Sequence, residues 1–132
     1  MSRPRKTKRY SFTPTCKTLQ EVLVNHELAT LGDAYTNLLY SLYLSIKTGK
    51  PTGAKADSHM LSKALKQAGL REFLSSRVDR HKQADAAEAL LVYVWLQSLI
   101  TIEESLSILT KYDDVAEGFS AVLSTAKAKL NL

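Results

Sequence analysis

Residues 28–40 constrain this chain more than any other stretch, because they place one carboxylate inside a long and otherwise apolar helical pattern. At about 100° per residue, one broad apolar surface is covered by Leu28, Leu31, Tyr35, Leu38, Leu39, Leu42 and Ile46. Residues 38–46 are hydrophobic nearly all round, which is typical of a helix buried within a bundle. We therefore expect that Asp33 is not a freely solvated surface acid.

Gly32 directly precedes that acid. A glycine in a helix interior costs about 1 kcal/mol relative to alanine, so its presence favours a packing or binding role. Its missing side chain lets another backbone or a ligand approach closely. Gly32 and Asp33 together predict a site on this helix.

A second stretch, residues 84–96, repeats the pattern: Asp85 and Glu88 stand among alanines at the start of a helix that soon becomes wholly apolar. Side chains three positions apart on a helix lie about 5 to 6 Å from each other, so these two acids share a face. If both are ionised, they repel by roughly 3 kcal/mol at an effective dielectric constant near 20. The favourable interaction of an acid with the helix dipole at the N-terminus offsets only about 0.3 to 1 kcal/mol of this repulsion per acid.

If Asp33 joins these two acids in a half-buried pocket, the arrangement requires a cation, a basic neighbour or a raised pKa. Oxygen ligands without clustered thiols favour Mg²⁺ or Mn²⁺. The alternative is that Asp85 and Glu88 form salt bridges with Arg80 or Lys82, while Asp33 caps or pairs locally.

The motif Leu31-Gly32-Asp33-Ala34, followed some fifty residues later by Ala84-Asp85-Ala86-Ala87-Glu88-Ala89-Leu90, resembles the two signature helices of the ribonuclease III family. The segment between them, residues 60–70, resembles the helix that links these two in the family. The resemblance runs over roughly residues 25–97, and it is carried by the order and spacing of the motifs.

This resemblance implies an all-α fold, namely a helical bundle like the ribonuclease III endonuclease domain. It also implies a homodimer that cleaves double-stranded or structured RNA with Mg²⁺ (or Mn²⁺). The acids that would hold the metal and act as the catalytic residues are Asp33, Asp85 and Glu88. In phosphodiester hydrolysis such a metal activates water and stabilises the charge that develops on the phosphate.

Two features relate the chain to particular members of that family. The spacing of Leu28, Ala29, Gly32 and Asp33 is similar to that of Mini-III, the small type without a double-stranded RNA-binding domain. Ribonuclease III proteins usually carry further glutamates four and seven residues before the signature aspartate, whereas this chain has Ala29 and His26. This departure leaves a second interpretation open, a catalytically degenerate RNA-binding or assembly protein that keeps the fold and the dimer. A plain helical scaffold is the third.

The net charge of +5 comes from the N-terminus, because five of the first nine residues are basic and none is acidic. We expect residues 1–16 to form a basic arm and residues 17–132 to form the helical domain. Such an arm favours phosphate backbones or anionic surfaces, and a disordered terminus that aids solubility is the alternative. With the basic connection before the second signature helix, the predicted RNA-binding residues are Arg3, Arg5, Lys6, Lys8, Arg9, Arg77, Arg80 and Lys82.

Cysteine content and the length of the apolar runs indicate the cellular compartment. The single cysteine, Cys16, excludes an internal disulfide and fits a reducing compartment. The apolar runs are too short for a transmembrane helix, and the basic N-terminus lacks the apolar region of a signal peptide. We therefore expect a cytoplasmic protein without a membrane partner.

Capping patterns predict the helix boundaries. The residues from Thr18 to Glu21 form a capping box that starts a first helix, which continues to about Lys47, with an interruption near Asn25 left open. Further helices are expected near residues 60–67, 70–76, 84–96, 102–110 and 114–129. Residues 38–46 and 90–100 offer more apolar surface than one domain of this size easily covers, so we expect both to contribute to the dimer interface.

Overall fold

The computed structural model describes residues 8–132, which contain six α-helices and no β-strand. The predicted all-α fold is therefore confirmed. The helices are α1 (Leu19–Leu23), α2 (His26–Thr48), α3 (Ser58–Gln67), α4 (Arg80–Leu96), α5 (Ile102–Leu109) and α6 (Val115–Leu130), with a 3₁₀ turn at Arg71–Phe73. None of the helices in residues 8–132 is long and apolar enough to cross a membrane.

The capping box at Thr18 begins α1 as predicted, and the interruption that was left open near Asn25 divides the predicted first helix into α1 and α2. Thr18 accepts a hydrogen bond from the Glu21 amide, and the Glu21 carboxylate accepts one from the Thr18 amide at 2.8 Å, which completes the capping box. Asn25 caps α2 by accepting a bond from the Leu28 amide, so the chain breaks between α1 and α2. Gly49 ends α2 with φ at 76°, a left-handed conformation that favours glycine.

Helix α4 is the centre of the bundle and packs against α1, α2, α3 and α6. Its residues from Gln83 to Val94 are buried, apart from Asp85, which matches a sequence that is apolar all round. Within residues 90–100, only Trp95, Ser98 and Leu99 reach solvent. The expectation that this stretch has apolar surface to spare for a dimer is therefore wrong, since the other helices of the same chain cover it.

The start of α4 also differs from the prediction. Asp79 is the N-cap, and its carboxylate accepts a hydrogen bond from the Lys82 amide at 2.9 Å. The helix thus begins at Arg80, so Arg80 and Lys82 form its first turn, whereas Arg77 stays in the connecting segment. Asp85 and Glu88 lie in the second and third turns, beyond the reach of the N-terminal helix dipole.

Helix α2 is only half covered. One side packs on α4, but the opposite side leaves Leu31, Leu38 (49% exposed) and Ile46 (55% exposed) open to solvent. These three residues, which we call the α2 stripe, lie seven or eight positions apart and so share a face. Residues 38–46 are therefore not enclosed by this chain, contrary to the expectation of a helix buried all round.

Residues 8–16 lie against the helical body. The Arg9 amide donates a hydrogen bond to the Leu96 carbonyl at 2.7 Å, and both Thr13 and Cys16 are buried. The Cys16 amide donates to the Tyr93 hydroxyl at 3.4 Å. The division of the chain into an arm and a domain at residue 16 stays a prediction.

Candidate functional site

The site lies where α2 and α4 cross at closest approach. A Cβ built on Gly32 would overlap the backbone carbonyl oxygen of Glu88 and would stand 3.1 Å from the Ala89 amide nitrogen. No side chain fits at this point, so only glycine lets the two backbones meet. The prediction that Gly32 serves a close backbone approach is confirmed.

Around this crossing, residues of the two helices line a cleft of about 280 Å³, which we call the acidic cleft. Helix α2 contributes residues near its N-terminal end, and α4 contributes residues from its second and third turns. Its lining residues are His26, Ala29, Thr30, Asp33, Asp85 and Glu88. The three acids singled out from the sequence thus face one cavity, although some fifty residues separate Asp33 from the other two.

The acids differ in burial. Glu88 is only 6% exposed, whereas Asp33 and Asp85 are exposed. The reason is geometric: Gly32 and not Asp33 faces the helix crossing, and Glu88 lies beneath it. Glu88 is therefore the buried acid, whereas Asp33 is exposed to solvent but lines the cleft and shares a hydrogen bond with Glu88.

Burial and like charge together raise the pKa of Glu88 to about 8. Burial is the largest cause, and the negative charge of Asp33, a hydrogen bond with that side chain and the charge of Asp85 add to it. Lys55 opposes the rise, because its positive charge favours the ionised carboxylate. The site therefore favours the protonated form of Glu88, chiefly because its carboxyl group is buried.

The alternative salt bridges, from Arg80 or Lys82 to Asp85 and Glu88, do not occur among residues 8–132, where the ion pair found is Lys129 with Glu104. Arg80 instead donates to the Ser58 hydroxyl at 3.3 Å and lies beside the His81 ring.

Three carboxylates that face one cleft form a donor set suited to a hard divalent cation. Their side chains are not closed around such a position, since no three acidic, histidine or cysteine residues between 8 and 132 are grouped to hold an ion. The chemistry of the donors fits a divalent metal. Asp33 and Glu88 already share a hydrogen bond, so ligation by all three acids would require a change in side-chain conformation.

The predicted RNA-binding residues are distributed along the molecule. Lys82 lines a cavity of about 270 Å³ that adjoins the acidic cleft and shares His26, Ala29 and Asp85 with it. Arg77 and Arg80 are exposed on the approach to α4. Lys8 bonds the Thr15 hydroxyl, and Arg9 lies at the other end of α4. The remaining three, Arg3, Arg5 and Lys6, lie outside the described residues.

One basic residue near the cleft was not predicted from the sequence. Lys55 lies in the connection between α2 and α3, and its charge acts on Glu88. A lysine in a segment rich in glycine and proline carries no pattern that could have indicated this position. The fold alone brings it towards the acids.

His26 and Ala29, the two positions where the family resemblance implies glutamates, both line the acidic cleft. Ala29 is buried, His26 is exposed, and Glu27 is not among the lining residues. A side chain at position 29 therefore faces the same cleft as Asp33. The departure from the family pattern therefore falls within the site itself.

Comparisons with known proteins agree with this geometry. A family model described as Ribonuclease III matches residues 26–130, a range that contains α2 to α6 and the whole acidic cleft. A search among curated proteins finds no match. Because the family model covers most of the chain, including both helices that carry the acids, this chain belongs to the ribonuclease III family, whose domain is that of an RNA endonuclease.

Proposed function

We propose that this chain is a divalent-metal-dependent endoribonuclease that acts on double-stranded or structured RNA as a homodimer. The observation that carries the proposal is the acidic cleft, in which Asp33, Asp85 and Glu88 face one cavity at the crossing of α2 and α4. Burial of the Glu88 carboxyl group beside two further acids disfavours its ionised form, so the presence of the three acids together favours a functional reason over a structural one.

The three acids would hold Mg²⁺ or Mn²⁺. When bound, such an ion activates water for attack on a phosphodiester and stabilises the charge on the phosphate. The protein's own contribution is to bring the oxygen ligands together through Gly32 and to keep Glu88 away from bulk solvent. A cation would also favour the ionised form of Glu88, which burial and the neighbouring acids otherwise oppose.

RNA contacts would surround the cleft. Lys82 adjoins it, and Arg77 and Arg80 are exposed nearby, so their charges suit phosphates on either side of the cleavage point. Such contacts position the RNA but do not select a sequence. The basic residues at the N-terminus would add to this attraction.

The homodimer is supported by the α2 stripe. Leu31, Leu38 and Ile46 expose apolar surface along one face of the helix that also carries Asp33. A symmetric interface along this face would bury it and would relate two acidic clefts by a twofold axis. Two sites related in this way suit a substrate with two strands.

A second function is favoured by a specific observation, the presence of His26 and Ala29 in the acidic cleft. With two fewer carboxylates than the usual family pattern, the site would bind metal weakly or not at all. In that case the chain is a ribonuclease III-like RNA-binding or assembly protein that no longer cleaves.

Incubating the purified protein with double-stranded RNA and Mg²⁺ or Mn²⁺ separates the two functions. We expect cleavage by the parent protein, loss of cleavage in Asp33→Asn, and retained cleavage in Asp113→Asn. The control makes the same change of charge at an exposed acid between α5 and α6, outside the cleft. Binding of RNA without cleavage in either metal would favour the second function.

A further inference from the structure

Four aromatic rings form a series from the core to the surface at the C-terminal end of α4. The ring centroids of Tyr35 and Trp95 are 5.4 Å apart, those of Trp95 and Tyr10 are 6.2 Å apart, and those of Tyr10 and Phe12 are 5.1 Å apart. Along this aromatic ladder the exposure rises, from the buried Tyr35 to Tyr10 at 47% and Phe12 at 62%. The ladder ends in an aromatic face that is open to solvent.

The outer rings are held in place by bonds of the neighbouring backbone. The Arg9 amide donates to the Leu96 carbonyl at 2.7 Å, and the Arg9 side chain donates through Nε to the Trp95 carbonyl at 3.2 Å. The Tyr10 carbonyl accepts a bond from the hydroxyl of Thr13 at 2.7 Å and one from its amide at 3.1 Å, and Thr13 is buried. Tyr10 and Phe12 stack with their planes 10° apart. The ring faces are therefore preorganised, which reduces the entropy lost when a flat ligand stacks on them.

Charge at the outer end of the ladder favours a polyanion with flat groups, whereas the charge of Glu103 acts on Tyr35 at the inner end. The Arg9 guanidinium lies 4.7 Å from the Trp95 ring centroid, and Lys8, which precedes Arg9 in the chain, is exposed and donates to the Thr15 hydroxyl. The first acid of the chain is Glu21, so the N-terminal segment carries positive charge alone. Exposed aromatic rings interleaved with cations are the usual platform for single-stranded nucleic acid. A second copy of the chain meeting this surface would instead bring like charges together.

We propose that the exposed stack of Tyr10 and Phe12 binds an unpaired nucleobase in a single-stranded extension of the RNA. This inference rests on the proposed function, since it assumes that the chain acts on RNA. Trp95 follows Glu88 by seven residues, so it lies on the same face of α4, two turns or about 10 Å along the axis. The ladder is thus at a fixed distance from the acidic cleft and would favour substrates that have an unpaired nucleotide near the cleavage point.

Trp95 is the single tryptophan of the chain, so its fluorescence reports directly on the ladder. The full chain is titrated in EDTA with a blunt RNA duplex and with the same duplex carrying a single-stranded extension at its 3′ or its 5′ end. We expect an extended duplex to change the emission of Trp95 and to bind about tenfold more tightly than the blunt one. Phe12→Ser should reduce this advantage to about twofold or less, because the outer stacking face is lost.

Tyr112→Ser is the matched control, since Tyr112 is another exposed aromatic residue and lies outside the ladder. It should retain the advantage of the extended duplex, and Phe12→Trp should restore it. Equal binding of all duplexes by the parent, or an advantage that survives Phe12→Ser, would overturn the proposal. An equal loss for blunt and extended duplexes in Phe12→Ser would also overturn it, because Phe12 would then only secure the N-terminal segment.

Two further measurements separate the remaining outcomes. If Trp95 emission changes with protein concentration in the absence of RNA, and does so equally in Leu38→Glu, which removes the proposed α2 interface, a second copy occupies the ladder and the proposal is wrong. Cleavage of the blunt duplex by the parent with Mg²⁺ or Mn²⁺ tests the proposed function on its own. A wrong ladder proposal can therefore be distinguished from a wrong assignment of nuclease function.

Discussion

The space that a side chain of Gly32 would occupy is filled by the backbone carbonyl of Glu88. This contact brings the helix that carries Asp33 against the helix that carries the other two acids. The backbone packing of the bundle and the assembly of the acidic cleft therefore depend on the same glycine.

Gly32→Ala should lower the free energy of unfolding by about 1 to 3 kcal/mol, although alanine is the better helix former. The added methyl group meets backbone, which cannot move aside without separating α2 from α4. Urea unfolding measures the change. Gly53→Ala is the control, because a Cβ at Gly53 has no neighbour within 4 Å and should shift stability by less than about 0.5 kcal/mol. A neutral Gly32→Ala would contradict the close approach.

The stability of the metal-free protein should depend on pH through Glu88. Its pKa of about 8 in the folded protein exceeds the ordinary value of 4.5, so the folded state retains a proton that the unfolded state loses. The resulting penalty is absent below pH 4.5, grows between pH 4.5 and 8, and is complete above pH 8. Glu88→Gln should therefore stabilise the metal-free protein at pH 8, by on the order of 2 kcal/mol, and leave stability unchanged at pH 4.

Thermal unfolding in EDTA across this pH range checks that dependence. The same variant should lose any stabilisation that Mg²⁺ or Mn²⁺ gives the parent protein. A variant that is no more stable than the parent at pH 8 would show that Glu88 is not under electrostatic stress.

Ala29→Glu should act in opposite directions with and without metal. Position 29 lines the acidic cleft, so a glutamate there adds a fourth carboxylate beside Asp33. Without metal the like charge should lower the melting temperature, whereas with about 5 to 10 mM Mg²⁺ the extra ligand should tighten metal binding and recover it. Ala34→Glu adds the same charge on an exposed part of α2 outside the cleft and should show no such reversal. Equal destabilisation of Ala29→Glu with and without Mg²⁺ would contradict the metal-site hypothesis and would favour the RNA-binding or assembly function.

Leu38→Glu should convert the proposed dimer into a monomer. Leu38 lies in the middle of the α2 stripe, and a charge there would have to be desolvated in an interface, while in the single chain it stays in water. Light scattering at micromolar concentration measures the mass, and Val24→Glu controls for a charge placed on an exposed apolar residue elsewhere. A parent protein that is already monomeric would contradict the dimer.

Deleting residues 1–7 should weaken RNA binding without changing its sequence preference. The deletion removes Arg3, Arg5 and Lys6, which as phosphate contacts position the RNA but do not specify it. The slope of the logarithm of the binding constant against that of salt concentration should fall by about 2 to 3. An unchanged slope would show that these residues do not contact phosphate.

Much of the fold was predictable because its signals are local. The capping residues Thr18, Asn25 and Asp114 lie next to the helices that they begin, and the apolar period of α2 lies within one segment. The family resemblance depended on the short motifs around Asp33 and Glu88, and a family model that matches residues 26–130 confirms it. Gly32 was informative because a glycine in a helix interior weakens the helix unless a close contact requires it.

The tertiary structure alone decided which acid is buried, which apolar face is covered and what lies beside the cleft. Glu88 lies beneath the helix crossing while Asp33 is open to solvent, and residues 90–100 are enclosed by other helices while the α2 stripe is not. The charge of Lys55 opposes the rise in the pKa of Glu88, and the Tyr10 ring packs near the Trp95 ring. Both interactions join segments that are far apart in sequence. Helix periodicity gives the direction of a side chain relative to its own axis, but burial and electrostatic environment depend on what packs against that face.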